Sequence, residues 1–354
     1  MLFSAFAGAQ TPIGLYEGLL GNSGAALVDS SAPSFYNPSL LARKTAESYA
    51  ISGNTFGSFS SKSDSQETSS VNVYPSYLSS IFISESLIHE IFLINLAPTR
   101  IKNIVFDNTA STTSRSESNR EGNKILVGYS MAFRKVPFAL SYFAQYTEIQ
   151  EFGYTEFSDL ASTLRSTSIN KGSFSSLAAG VSVSGHSKFE SYTLGYNLKI
   201  KPGVLYRKNK SEITSYTRGR TIPSDYEVNV SESEVSETGV LGTALVIGHD
   251  FRSGEHEFIT DTVFSEKSNL SNSYEISQSF GYRFSSGSGH QFLCGLTHAL
   301  GGDIKYIGQK VYVSTGYSWI NKINRSTVGL YYYSSKVDEL INAAGLTFGS
   351  EFLY

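Results

Sequence analysis

The chain has 354 residues, a formal net charge of −3, one cysteine, and 23 Tyr and 23 Phe against a single Trp and eight Pro. It carries no basic stripe, so no nucleic-acid partner is expected; the lone Cys294 excludes an intramolecular disulfide framework; and no run of about 18 apolar residues offers a transmembrane helix. What remains is a soluble all-β protein or a transmembrane β-barrel, since Tyr, Phe, Thr and Val favour strands while Gly and Ser serve turns and small positions.

Leu2 to Ala9 is apolar and closes on Ala7-Gly8-Ala9, so residues 1–9 read as the remnant of a secretory signal, with the mature chain beginning near Gln10; an ordinary apolar tail is the alternative. Residues 10–44 differ from everything downstream. They are small and helical, then break at Ser34-Phe-Tyr-Asn-Pro38, because the residue before a proline is pushed out of the α region and a helix cannot run through Asn37. Gly18, Gly21 and Gly24 recur every third residue. With no P-loop lysine and no preceding strand they read as close-packing positions of a plug against a wall.

From residue 45 to Tyr354 the sequence alternates apolar and polar residues between turn signals. Ser70–Ile83 is a strand that tolerates Pro75 only at a bulge, and 88–105 is extended with a bend at Pro98. Ile125, Val127, Tyr129, Met131 and Phe133 share one face, as do Phe138, Leu140, Tyr142, Ala144 and Tyr146 on the next strand. Leu177 to Val183, Tyr192 to Ile200, Tyr274 to Phe284 and Leu346 to Tyr354 repeat the scheme. About fourteen strands result, each near or above the nine to eleven residues that cross a bilayer when tilted.

The connections alternate in length. Tight turns are expected at 84–87, 135–137, 184–187, 252–255, 285–289 and 321–324, and longer polar loops at 60–69, 107–121, 151–172 and 217–224, with further breaks at 301–308 and 336–341. The stretch 229–237 is too acidic to lie in lipid. Within 151–172, Phe157, Leu160, Ala161 and Leu164 are spaced by three and four, which predicts a short amphipathic helix. Short periplasmic turns against longer extracellular loops, and a last strand ending on an aromatic, are marks of outer-membrane barrels. The expected fold is therefore all-β: a transmembrane antiparallel β-barrel over 45–354 in the bacterial outer membrane, with residues 10–44 as a helical hatch in its lumen.

This layout resembles the FadL-type outer-membrane family of long-chain fatty acid and hydrocarbon transporters. The likeness is carried by Ala25-Ala26-Leu27-Val28-Asp29 followed by Asn37-Pro38, with Ser39 standing where the family usually has alanine. The resemblance implies passive uptake of a hydrophobic small molecule, with no catalysis. Such a ligand is caught on an apolar extracellular surface, passes to a site beside the hatch and leaves through a gap in the wall. On this reading Phe152, Tyr154, Phe157, Leu160 and Leu164 form the capture surface and Phe35 and Tyr36 the deeper site. Alternatively, the former pack a loop helix and the latter wedge the plug. Asp29, Asn37 and Pro38 are assigned to hatch geometry. Partners are then the ligand and outer-membrane lipids; the competing function is a barrel of the same type that anchors or receives a secreted or surface protein.

Other chemistry finds little support. His290, Cys294 and His298 are spaced by four on one strand, too far apart at about 3.4 Å per residue to share an ion, so no metal or cofactor is expected. Lys199, Arg283, Glu275, Arg325 and Glu351 fall on polar faces and are expected to line the lumen and hold the hatch by ion pairs.

Overall fold

A computed structural model describes residues 12–61, 72–95, 99–109, 112–159, 164–218, 225–231, 243–266, 274–301, 310–335 and 341–354. The leader expected at 1–9, most of the loops expected at 60–69, 217–224, 301–308 and 336–341, most of the acidic stretch, and Leu160 and Ala161 lie outside them.

The strands are β1 (Ser48–Ser61), β2 (Asn72–Ile83), β3 (Leu87–Asn95), β4 (Thr99–Asn108), β5 (Thr112–Phe133), β6 (Phe138–Asp159), β7 (Leu164–Lys188), β8 (Tyr192–Arg218), β9 (Asp225–Ser231), β10 (Ala244–Ser253), β11 (His256–Glu266), β12 (Tyr274–Ser285), β13 (His290–Gly301), β14 (Lys310–Ile320), β15 (Asn324–Ser335) and β16 (Ile341–Leu353). All pairings are antiparallel between neighbours, β8 pairs with β10, and β16 returns to β1. β4 and β9 lie off this ring, pairing only the distal parts of β5 and β8, so fourteen of the sixteen strands close the barrel.

The burial pattern is that of a protein in lipid. On β12 the outward Phe280 is 50% exposed whereas the inward Arg283 is 3% exposed. Along β6 the inward residues Ala139, Ser141, Phe143, Gln145 and Thr147 are buried, and Tyr142 and Tyr146 face out. Apolar side chains outside and polar ones inside suit a wall between acyl chains and a filled interior. No helix among the described residues is long and apolar enough to cross a membrane.

Three sequence expectations are corrected. Most of 107–121 and most of 151–172 are strand, because β5 to β8 run for 22, 22, 25 and 27 residues. Their distal halves exceed a bilayer's thickness and, flanked by β4 and β9, form a sheet projecting on the extracellular side. Wet on both faces, this sheet has no reason to alternate, and so its Ser, Thr and charged residues resemble a loop. Nor do the described residues of the expected amphipathic helix form one: through Asp159 the chain pairs residue by residue with β5 and β7, and Leu164 begins β7. Finally, the turn expected at 184–187 falls at 189–191. Gly185 is a strand position beneath the Tyr196 ring, where a Cβ would stand 2.2 Å from the phenol oxygen.

Candidate functional site

Residues 12–43 lie inside the ring. The segment has a 3-10 turn at Gly18–Leu20, a helical turn, α1 (Pro33–Tyr36), and a second 3-10 stretch at Pro38–Arg43. Asn37 separates the last two in an extended conformation with φ −155° and ψ 96°, the corner that Pro38 requires. Its side chain closes that corner. The amide donates to the carbonyls of Ala25 (2.6 Å) and Gly185 (3.1 Å), and its oxygen accepts from the Ser39 amide (3.1 Å) and hydroxyl (2.7 Å). The serine hydroxyl, where alanine was expected on resemblance, thus adds a bond to the corner.

Glu17 folds the segment on itself, accepting from the hydroxyls of Ser30 (2.6 Å) and Ser31 (2.7 Å) and from the amide of Ala32 (3.1 Å). Barrel side chains take the other exposed backbone groups. Asp261 accepts from the amides of Gly24 (2.7 Å) and Ala25 (2.9 Å), Glu90 from that of Ser34 (3.1 Å), and Asn197 donates to the Tyr36 carbonyl (2.8 Å). Leu15, Tyr16, Leu19, Leu20 and Leu27 pack with Ile259 and Leu293 of the wall. Gly21, at φ +70°, lies against the backbone of Phe280 and Leu296, where a Cβ would come within 2.8 Å. Of the three evenly spaced glycines it is the one whose Cβ position the wall backbone blocks; at Gly18 a Cβ would meet Pro12 and at Gly24 the Tyr36 ring.

Asp29 is held by three arginines. Arg283 grips it with two bonds, Nη1 to Oδ2 at 2.9 Å and Nη2 to Oδ1 at 3.1 Å, while Arg252 and Arg325 each stand 3.7 Å away. Tyr16 and Arg325 both donate to the Asp29 carbonyl. Burial by itself would raise the Asp29 pKa, but the three guanidiniums outweigh it and hold the carboxyl far below its ordinary range. Lys44 pairs with Glu351 at 2.9 Å. Of the charges expected to hold this segment, Arg283, Arg325 and Glu351 do so, and Lys199 does not.

Lys199 instead places its ammonium 4.1 Å from the centroid of the Phe35 ring. Going up β8 from its tight-turn end, Gly195 touches Ala25, Asn197 caps Tyr36 and Lys199 comes next. Phe35 is the half-buried member of a cluster with Tyr36, Tyr77, Phe92, Ile94, Leu126 and Phe143. The two aromatics named from the sequence differ. Tyr36 is 6% exposed and packs within the cluster, its hydroxyl donating to the Ile13 carbonyl at 3.1 Å, while Phe35 keeps an accessible face. Among the described residues Lys199 forms no ion pair. Phe152 and Tyr154 occupy the outward parity of β6 and Phe157 the lumen parity, so these three do not share one face. Asp261, Glu90, Glu17 and Asn197 were missed: each is one polar residue among many until a backbone amide or carbonyl is brought against it.

The architecture defines a fourteen-stranded outer-membrane β-barrel that encloses its own N-terminal segment. Its fold is that of the FadL-type outer-membrane transporters. The toluene transporter TodX of Pseudomonas putida superposes with a TM-score of 0.65 at 10% identity, covering 97% of this chain and 98% of that one. The toluene transporter TbuX of Ralstonia pickettii gives 0.64 at 9% identity, and a FadL homologue of Pseudomonas aeruginosa 0.60 at 10%, each with 97% and 98% coverage. No protein-family model and no curated protein matches the sequence. At such identities the likeness is one of fold.

Proposed function

We propose that the protein conducts small hydrophobic molecules passively across the outer membrane, with residues 10–44 as a hatch and the surface around Phe35 as the deeper ligand site. The observation that carries this is the apolar ground on the extracellular side of the enclosed segment, where Phe35 packs against a cluster that includes Ile94, Leu126 and Phe143. An apolar solute gains nothing in a water-filled pore, but burial against such a surface is worth roughly 25 cal/mol per Å². The structural neighbours described as toluene transporters support the same reading. Phe157, on the lumen parity of the projecting sheet, lies on the route inward, whereas Phe152 and Tyr154 face outward.

Lys199 favours one refinement, a ligand whose apolar body ends in an anion such as a long-chain carboxylate. A cation that forms no ion pair among the described residues, at the edge of an aromatic surface, complements that chemistry. The test is binding and uptake of radiolabelled toluene and oleate by proteoliposomes holding the wild type and Phe35→Ala. Saturable uptake of either compound that weakens in the variant supports the proposal. Absence of binding of both in the wild type, with a protein captured in pull-downs, would instead support the anchor or receptor alternative.

A further inference from the structure

Four of the five histidines on the lipid-facing side of the wall, all but His298, make the same contact. The Nδ1 atom of His89 bonds the hydroxyl of Tyr129 (2.6 Å) and that of His256 the hydroxyl of Tyr282 (2.7 Å); His249 bonds Tyr192, and His290 bonds Tyr317. In every case the tyrosine sits two residues before the one directly opposite the histidine, on the neighbouring strand. The rings lie 5.7 to 6.0 Å apart at 20° to 36°. All four pairs stand near the end that carries the tight turns, the periplasmic side. With Nδ1 engaged, Nε2 is the remaining polar atom of each imidazole, on a face that is otherwise apolar. An atom so placed needs a partner from the headgroup layer.

One pair adjoins a groove. Directly opposed residues form a row across five strands, His290, Trp319, Ser326, Ser350 and Ile51. The two serines interrupt this bulky belt, their hydroxyls bonded to each other at 2.8 Å, and Val328 and Phe348 close the gap from above. The resulting depression has a volume of about 460 Å³ and opens on the lipid side.

We propose that this place seats one phospholipid of the periplasmic leaflet, its phosphodiester at His290 Nε2 and an acyl chain in the groove beside Trp319. The occupant follows from position: the groove is apolar, opens toward the bilayer, and begins at the height where acyl chain gives way to headgroup. The proposal rests on the barrel and stands whether or not the lumen conducts hydrophobic solutes.

Trp319 is the only tryptophan of the chain and forms a wall of the groove, so its fluorescence reports on the site directly. The folded protein would be reconstituted in phosphatidylethanolamine bilayers containing phosphatidylglycerol or diacylglycerol, each brominated in the acyl chain. In the wild type the phosphate-bearing probe should quench at about tenfold lower mole fraction, the preference that one hydrogen bond to a charged group supports. In His290→Phe the two probes should become equivalent, and in Ser350→Leu, which fills the groove, quenching by both should fall. Heat-modifiable migration checks that each variant is folded. Equal quenching by the two probes in the wild type, or an unchanged preference in His290→Phe, would overturn the assignment.

Discussion

Arg283 meets Asp29 through two parallel N–H···O bonds of 2.9 and 3.1 Å, joining the middle of the N-terminal segment to strand β12, 254 residues later in the chain. Arg283 is 3% exposed and also pairs with Glu257. Removing one partner of such a pair leaves a desolvated charge, which costs several kcal/mol. Asp29→Ala is therefore expected to loosen the N-terminal segment by about 3 kcal/mol, at the low end because Glu257 still neutralises Arg283. Hydrogen exchange at the amides of residues 12–43 measures it; unchanged protection would mean that the pair does not hold the segment.

The same pair sets a pH dependence. A carboxyl whose pKa is depressed on folding contributes stability that is complete above its unfolded value, about 4, and is lost as pH falls through the lower folded value. Asp29 is such a group. The difference in protection between wild type and Asp29→Asn should then stay constant from neutral pH down to about pH 5 and shrink only in stronger acid. A difference that shrinks near neutrality would contradict the assignment.

Glycines of the wall mark where the enclosed segment presses on it. A Cβ on Gly295 would stand 1.9 Å from the Gly21 nitrogen, and one on Gly195 1.8 Å from the Ala25 oxygen. Neither distance can be relieved by a side-chain rotation, since both contacts are backbone. Gly295→Ala and Gly195→Ala should leave the barrel folded but unseat the segment, seen as steady ion conductance in planar bilayers. Gly203→Ala, with nothing within 4 Å of its Cβ, is the control and should stay closed.

Lys199 and Phe35 separate the two classes of ligand. If the ligand carries a carboxylate, Lys199→Met should weaken oleate binding about tenfold, as expected for one charge-assisted bond, and leave toluene unaffected. Phe35→Ala should weaken both, since it removes apolar contact area. Titration calorimetry in detergent resolves the outcomes; equal losses for both ligands in Lys199→Met would remove the carboxylate refinement.

The strand pattern was legible wherever one face met lipid. Tyr274, Ile276, Phe280, Tyr282 and Phe284 alternate because every second residue lies against acyl chains, and that period survives in the sequence. Where β5 to β8 leave the membrane both faces are wet, and the period disappears while the backbone pairing continues. Gly185 misled for a related reason: glycine marks a turn or a close approach, and only the Tyr196 ring distinguishes the two. The Asn37–Pro38 corner was readable because proline acts on its immediate neighbour.

What the chain determined by itself was therefore local: which residues extend, which face of each is greasy, and where proline forces a corner. Contacts between residues hundreds apart were decided only on closure of the ring. Whether Lys199 would pair with an acid or lie over Phe35, and whether Asp29 would meet one arginine or three, depended on which strands came to face the enclosed segment. Register fixes that, and register is a property of the whole sheet.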